Sequence, residues 1–179
     1  MLSVEKTKLK NVLVFKHFCF EDHRGTYEVL YNEEEYSEAI KKETGWKPKW
    51  REDNIAKSSK NVLRGFHGDN RTWKFVTCLR GKFYIVVLNY DSKSEQFGQW
   101  QSFVLSEQNK IQVLIPPKYG HAYKVMSDKA MFHYKQSQIY QGMRKQFTVR
   151  RNDPRFNVWW PSDNPIMSRR DEMGEVVDE

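Results

Sequence analysis

The hydrophobic pattern after residue 60 consists of short apolar and aromatic runs that turn residues separate. The runs are rich in β-branched and aromatic side chains, which is typical of strands. They occupy residues 61–68, 74–81, 82–91, 100–106, 111–116, 121–127 and 130–137. Breakers such as Gly81 and Pro116 fall at their ends. This spacing predicts an all-β sandwich or barrel.

One segment before these runs has the pattern of a helix. Asn32 precedes three glutamates, as at a capped helix start, and Tyr36 and Ile40 then recur on one helical face. Gly45 marks the end of this pattern. The sequence therefore predicts one short helix, followed by strands.

Composition limits the class of protein. The chain has 179 residues and 21.5 kDa, with 39% apolar and 15% aromatic residues, which suits a single folded domain over residues 1–179. An acidic tail at 172–179 is expected to fray. No apolar run approaches the roughly 18 residues of a membrane helix, and the N-terminal segment lacks a secretory apolar stretch. We expect a cytoplasmic protein without a membrane partner, whose Cys19 and Cys78 are packed, reduced thiols.

The net charge of +7 makes an anionic partner plausible. Basic residues are scattered among acidic ones, with no basic block longer than two residues and no nucleic-acid motif. The charge pattern therefore favours a small phosphate-bearing ligand over a nucleic acid.

Candidate chemistry begins around Gly65, which interrupts a strand pattern and predicts a β-bulge. In a regular strand Arg64 and His67, three residues apart, would face opposite sides; a bulge lets both face one cavity. His121 opens a later strand just after a turn.

Strict alternation along residues 130–137 places Phe132 and Tyr134 on one face of a strand and His133 on the other. The first pair is the better interior set. Taken singly, Tyr134 and each histidine are also typical of hydrogen-bonded or packed structural residues. A metal site formed by His67, Asp69 and His121 is a further alternative, since small β-barrels often bind transition metals.

Several segments, in order along the chain, resemble one family. They are DHRG, DNIAKSSKNVLRG, RGFH, KFVTCLRGKFYIVVLNYDSKSEQFGQW, LSEQNKIQVLIPPKYGHAY, AMFHYK and NVWWP…MSRRD. This pattern is similar to that of the dTDP-4-dehydrorhamnose 3,5-epimerase family of metal-free cupins, over about residues 12 to 171. The resemblance implies a cupin-type jelly-roll barrel with one or a few short helices. It also implies a homodimer that exchanges N-terminal strands.

The resemblance implies proton transfer at a carbon beside the C4 ketone of a nucleotide-diphosphate 4-keto sugar. Such a C–H bond is a very weak acid, so the site must hold a base, stabilise an enolate and supply an acid on the opposite face. The family's base matches His67, and its carboxylate partner matches Asp171. The far-side acid matches Tyr134, and Lys74 matches a lysine beside the sugar oxygen. No metal and no cofactor is implied.

Substrate-binding positions also follow from the resemblance. Arg64 matches an arginine near the pyrophosphate, which a guanidinium binds well. The segment after DHRG is expected to reach the nucleotide bound by a partner subunit. The other matched substrate-binding residues are Arg24, Tyr27, Glu28, Asn54, His121, Tyr140 and Arg170.

Three segments depart from the usual family pattern. Glu52 and Ile55-Ala56 replace the glutamine and His-Ser that commonly flank Asp-Asn, and Gly68-Asp69 opens a shortened loop before Lys74. Glu28 directly follows Tyr27, which turns its carboxylate to the other face of the strand. These departures predict changes in the sugar pocket and in the nucleotide base.

The departures favour an epimerase of a GDP-linked 4-keto heptose in capsular polysaccharide synthesis. The alternatives are a dTDP-4-keto-6-deoxy-hexose 3,5-epimerase, a metal-dependent cupin isomerase or dioxygenase, and a sugar or nucleotide binder without turnover. The sequence leaves open whether C3, C5 or both are inverted.

Overall fold

A computed structural model describes residues 2–175. The strands are β1 (Ser3–Lys6), β2 (Leu13–Lys16), β3 (Cys19–Asp22), β4 (Gly25–Glu28), β5 (Glu52–Ser59), β6 (Leu63–Gly68), β7 (Lys74–Arg80), β8 (Lys82–Asn89), β9 (Trp100–Ser106), β10 (Ile111–Ile115), β11 (Tyr119–Val125), β12 (Lys129–Gln136) and β13 (Phe147–Thr148). The helices are α1 (Glu33–Thr44), α2 (Arg169–Met173) and a 3₁₀ turn at Met143–Lys145.

Two antiparallel sheets form the body of the molecule. One has the order β1-β2-β10-β7-β12-β5, and the other has the order β13-β6-β11-β8-β9. Apolar side chains from both sheets, such as Val76, Ile85 and Phe132, meet in a shared core. The prediction of an all-β, cupin-type jelly-roll barrel is confirmed.

Two further apolar layers cover the outer faces of these sheets. On the six-stranded sheet, Phe15 and Phe75 pack against Tyr36 and Ile40 of α1. On the other sheet, Phe66 and its neighbours pack against the segment 149–167 that follows the barrel. Because β7 and β8 are covered on both sides, they have nearly continuous apolar sequences.

The predicted helix start and stop are confirmed in α1. The Asn32 side chain accepts hydrogen bonds from the backbone N–H groups of Glu34 and Glu35. Gly45 adopts a left-handed conformation with φ 77°, and its N–H donates to the carbonyl of Lys41.

The structure corrects two expectations outside the barrel strands. The region after α1 contains a second helix, α2, which includes Glu172 and Met173 of the expected frayed tail; residues 176–179 lie outside the described residues. Both cysteines are free, but only Cys78 is fully buried, because Cys19 lies on the β3–β4 hairpin. No helix of the described chain has the length and apolar character needed to cross a bilayer.

The predicted bulge lies in β6. His121 of β11 pairs with His67, and Tyr123, two residues later on β11, pairs with Arg64. Arg64 and His67 are three residues apart, so β6 has one residue more than β11 between the two pairs. Gly65 occupies this irregularity with φ 111°, and a Cβ there would lie 2.4 Å from the carbonyl oxygen of His121. A side chain at this position is therefore excluded by backbone contact as well as by φ.

Candidate active site

A cavity of about 320 Å³ opens between the two sheets near β6, β11 and β12. Eight of the twelve predicted site residues line it. They are His67, Lys74, Tyr134, Asp171, Arg64, His121, Tyr140 and Arg170. Residues far apart in the sequence therefore meet in one place.

His67 and Asp171 form the closest polar contact of the cavity. His67 Nε2 donates to Asp171 Oδ1 over 2.5 Å, although the residues lie 104 positions apart. Asp171 is 3% exposed and lies in the first turn of α2, where Ser168 caps the helix by accepting from its backbone N–H. Burial would raise the pKa of Asp171, but the hydrogen bond and charge of His67 outweigh it and lower this pKa.

The His67 imidazole is held in its neutral form. Burial lowers its pKa below the usual value, and the charges of Arg170 and Lys74 act in the same direction, against the opposing effect of Asp171. Because Nε2 carries the proton donated to Asp171, Nδ1 keeps a lone pair. The ring therefore has a free basic nitrogen and a carboxylate that stabilises it once protonated.

Lys74 begins β7 and is only 4% exposed. Burial lowers the pKa of its ammonium to about 8; Asp69 opposes this shift, and Arg170 adds to it. Among residues 2–175 its Nζ has no hydrogen bond or ion pair, and Asp69 acts on it only through its charge. A buried cation without a protein partner is suited to stabilise negative charge on a ligand.

Tyr134 faces the cavity from the six-stranded sheet, opposite His67 on the five-stranded sheet. Burial raises the pKa of its phenol, and Glu52 acts in the same direction. On the other face of β12, His133 and Lys135 both bind Asp53 outside the cavity. The predicted division of this strand into inner and outer faces is confirmed.

His121 and Arg170 complete the wall nearest His67. Burial lowers the pKa of His121 well below its usual value, and the charges of Lys74 and His67 add to this effect. Arg170 Nε donates to Thr148 Oγ1 over 2.9 Å, and its guanidinium also reaches Gln146. The Arg170 side chain is therefore held in place before a ligand binds.

Tyr140 lies half exposed at the rim of the cavity, and its backbone N–H donates to Glu52. Asn54 does not line the cavity; its amide also donates to Glu52, over 2.6 Å. Asn54 therefore contacts Glu52 at the rim, and its contact with substrate stays a prediction. The departure at Glu52 explains this, because its carboxylate accepts from both residues.

Three predicted residues on the β3–β4 hairpin lie away from the cavity of their own chain. Arg24 pairs with Asp22 at the hairpin turn, and Tyr27 is 68% exposed. Glu28 points inward, where it binds His17 over 2.9 Å and Lys110. Alternation along the strand separates Tyr27 from Glu28, so Glu28 serves to hold the hairpin.

Sequence reasoning missed several lining residues. Tyr123 shares the inner face of β11 with His121, so strand alternation could have identified it. Met143 and Gln146 belong to an irregular segment with no periodic signal, and Ser168 is visible only as a helix cap.

The metal alternative lacks a ligand set. Across residues 2–175, no three His, Cys, Asp or Glu side chains are grouped so as to hold a metal ion. Asp69 instead accepts hydrogen bonds from the backbone N–H groups of Arg71 and Thr72, 2.8 Å away in each case. It therefore stabilises the short loop before Lys74.

A second cavity of about 260 Å³ adjoins the first. The two share Tyr140 and Gln146, and the second is also lined by Arg71 and Lys145. A ligand longer than a sugar ring can therefore extend from the buried cavity into a basic, open groove.

Comparison with known proteins agrees with this geometry. The profile of the family described as dTDP-4-dehydrorhamnose 3,5-epimerase matches residues 6–179. The dTDP-4-dehydrorhamnose 3,5-epimerase of Shigella flexneri is 34% identical over 177 residues, which cover 97% of this chain and 95% of the relative.

Two solved structures show the same fold. That of dTDP-4-dehydrorhamnose 3,5-epimerase from Elizabethkingia anophelis is 32% identical with a TM-score of 0.87, and the match covers 97% of this chain and 95% of the other. That of dTDP-6-deoxy-D-glucose-3,5-epimerase from Legionella pneumophila, in complex with dTDP-4-keto-L-rhamnose, is 27% identical with a TM-score of 0.90, covering 98% and 93%. The chain belongs to the dTDP-4-dehydrorhamnose 3,5-epimerase family of isomerases.

Proposed function

We propose that this enzyme inverts a carbon beside the C4 ketone of a nucleotide-linked sugar, with His67 as base and Tyr134 as acid. The observation that supports this most is the pairing of His67 with buried Asp171 in a cavity whose opposite wall presents Tyr134. A base and an acid on opposite sheets can act on opposite faces of one sugar ring.

In the first step, neutral His67 accepts the proton of the carbon next to the ketone. Its Nδ1 lone pair forms the new N–H bond, and the electron pair of the broken C–H bond moves into the enolate. Asp171 then stabilises the imidazolium through the bond to Nε2.

Lys74 stabilises the enolate. The electron pair released from carbon ends on the C4 oxygen, which becomes negatively charged. The buried ammonium of Lys74 has no hydrogen-bond partner within residues 2–175 and is therefore available to this oxygen. With a pKa of about 8, the group is mostly charged at neutral pH.

Tyr134 completes the inversion by donating its phenolic proton to the opposite face of the carbon. Its pKa is raised by burial, so the phenol is protonated before the reaction. Solvent then returns a proton to Tyr134 and removes one from His67. The net result is an inverted centre with no change in atoms or oxidation state.

The nucleotide diphosphate would lie toward the rim and the adjoining basic groove. Arg64 and Arg170 line the buried cavity, and Arg71 and Lys145 line the groove. Guanidinium and ammonium groups are suited to bind phosphate. The overall charge of +7 favours the approach of such an anion.

The identity of the nucleotide sugar rests on two opposing observations. The relatives named above act on, or were solved with, dTDP-linked sugars, which supports a dTDP-4-keto-6-deoxy-hexose as substrate. The carboxylate of Glu28 is bound by His17 and Lys110. This arrangement favours a different nucleobase, as in a GDP-4-keto-heptose. For the nucleotide, the relatives make dTDP the closer fit. A place in capsular synthesis and a cytoplasmic location stay predictions.

The decisive experiment is hydrogen exchange in deuterated water. We expect the wild-type enzyme to incorporate deuterium at C3, C5 or both in a panel of dTDP- and GDP-linked 4-keto sugars, followed by NMR. His67→Asn should lower the exchange rate by about 10²- to 10⁴-fold. Tyr134→Phe should retain exchange but suppress the inverted product, because water is a poor acid inside the cavity.

His133→Asn is the matched control, because His133 also binds an aspartate but lies outside the cavity. This variant should exchange at the wild-type rate. Absence of exchange with every sugar of the panel would contradict the proposed function. Equal effects of the two histidine substitutions would contradict the assignment of His67.

A further inference from the structure

Unpaired buried polar groups collect on the inner face of β11. In the described part of the chain, five buried side-chain polar atoms make no hydrogen bond of good geometry. Two of them, His121 Nδ1 and the Tyr123 hydroxyl, line the active-site cavity on one strand. Because buried polar groups are nearly always hydrogen-bonded, these two indicate where a ligand supplies the missing partners.

The ring of Tyr123 is fixed by packing, although its hydroxyl has no hydrogen bond of good geometry within the described residues. The side chain is 3% exposed, and its ring stacks on Phe132 with 4.1 Å between centroids and 7° between planes. Burial raises the pKa of the phenol, and Ser58 and Arg64 lie close enough to oppose this shift. The hydroxyl is therefore protonated, fixed in direction, and surrounded by polar groups.

Tyr123 lies at the inner end of the cavity. Tyr140 and Met143 at the rim are exposed, whereas Tyr123 and Phe132 are buried. The nucleotide is attached at C1 and must leave through the rim, so C4 and the groups on its neighbours C3 and C5 point inward. Lys74 takes the C4 oxygen, which leaves the substituents of C3 and C5 for Tyr123.

A methyl group would match this inner wall poorly. It would leave the Tyr123 hydroxyl desolvated and unpaired beside the guanidinium of Arg64, which donates to Ser58 over 3.1 Å. Ala56, the smallest side chain of the wall, leaves space for a longer substituent. A longer substituent that ends in a hydroxyl would fill the space beside Ala56 and pair with the Tyr123 hydroxyl.

We propose that Tyr123 determines sugar specificity by hydrogen-bonding a hydroxyl at the end of the C5 side chain. The inference rests on the proposed epimerase function and names its preferred sugar class. The enzyme favours a 4-keto sugar whose C5 chain ends in a hydroxyl, as in a heptose, over one whose C5 carries a methyl group.

The test compares wild type and Tyr123→Phe on two substrates with the same nucleotide. One is a 4-keto-6-deoxy-hexose, and the other is a 4-keto heptose with a hydroxyl-terminated C5 chain. The ratio of kcat/KM for the heptose to kcat/KM for the hexose should fall about 10- to 100-fold in the variant. The same loss on both sugars would assign Tyr123 to an oxygen that they share and overturn the proposal.

Tyr119→Phe is the control, because Tyr119 lies on the same face of β11 but its hydroxyl accepts from Asn89 over 3.0 Å. This variant should lower the thermal midpoint by about 2–4 °C and keep the wild-type ratio. Tyr123→Phe should lower the midpoint less than Tyr119→Phe does, since the Tyr123 hydroxyl has only weak polar interactions with Ser58 and Arg64. A wild-type enzyme inactive on both sugars contradicts the proposed function itself, whereas an active one with an unchanged ratio in Tyr123→Phe contradicts only this inference.

Discussion

Burial tunes three titrating side chains in the directions that proton transfer requires. It lowers the pKa of His67, so that the imidazole is an unprotonated base, and it raises the pKa of Tyr134, so that the phenol keeps its proton. It lowers the pKa of Lys74 to about 8, which still leaves a cation at neutral pH. The same low-polarity environment therefore prepares base, acid and cation together.

These shifts predict a bell-shaped dependence of kcat/KM on pH. Activity should fall as acid protonates His67, below the usual imidazole pKa of about 6.5. It should also fall as alkali deprotonates Lys74, near pH 8. Initial rates between pH 5 and 10 measure both limbs.

Lys74→Arg separates the alkaline limb from other causes, because a guanidinium stays charged over this range. The fall near pH 8 should disappear in this variant even if its maximal rate is reduced. Lys135→Arg, outside the cavity, should keep the wild-type profile. An alkaline limb that persists in Lys74→Arg would show that another group titrates there.

At the residue scale, the sequence identifies those site residues whose orientation depends on the local geometry of their own strand. The glycine between Arg64 and His67 predicted the bulge, and alternation predicted which side of β12 faces inward. Asp171 has no comparable signal, because its partner lies 104 positions away and α2 has only five residues. Only the family resemblance indicated it.

At the scale of elements, the bulge in β6 brings Arg64 and His67 into one cavity. It depends on close approach of Gly65 to β11, where the carbonyl of His121 and Cα of Ala122 would lie 2.4 and 2.7 Å from an added Cβ. Both contacts are with backbone, so the strand itself must move to accept a side chain.

Gly65→Ala should therefore lower the free energy of unfolding by about 2–4 kcal/mol, from the positive φ and the backbone clash together. Chemical denaturation measures this change, and exchange activity should fall as His67 moves. Gly25→Ala is the control, because φ is 122° there but no atom lies within 4 Å of an added Cβ. A loss no greater in Gly65→Ala than in Gly25→Ala would show that the close approach is unimportant.

Elements were predictable where their sequences alternate or are strongly apolar. The seven strands from β6 to β12 and helix α1 match the predicted segments to within a few residues. The strands β1 to β5 and β13 were missed. Most residues of β1, β3, β4, β5 and β13 contact solvent, and β2 is partly buried but has only four residues. Helix α2 is too short to show helical periodicity.

At the scale of the whole molecule, the β3–β4 hairpin leaves most of its side chains exposed. Phe20 pairs across it with Tyr27, and Phe18 precedes them on the same face; all three are about half exposed or more. An exposed aromatic strip on a projecting hairpin is typical of an interaction surface. It favours the homodimer that the family resemblance implies, and we propose that this hairpin contacts a second copy of the chain.

Light scattering should give a mass of about 43 kDa, twice 21.5 kDa. Replacing Phe20 and Tyr27 together by serine should shift the mass toward 21.5 kDa while circular dichroism stays unchanged, because neither side chain belongs to the core. Trp159→Ser, another exposed aromatic, should remain dimeric. A wild-type monomer at micromolar concentration would contradict the dimer.

The arrangement of His67 and Asp171 makes activity separable from folding. The barrel core is formed by the two sheets, whereas the carboxylate that partners the base arrives on a five-residue helix after the long covering segment 149–167. A protease cut within that segment would leave the chain of both sheets unbroken but remove the covalent link between the barrel and the helix that carries the counter-ion. A preparation with a native spectrum can thus be inert, and integrity of the polypeptide downstream of the barrel is the better index of competence.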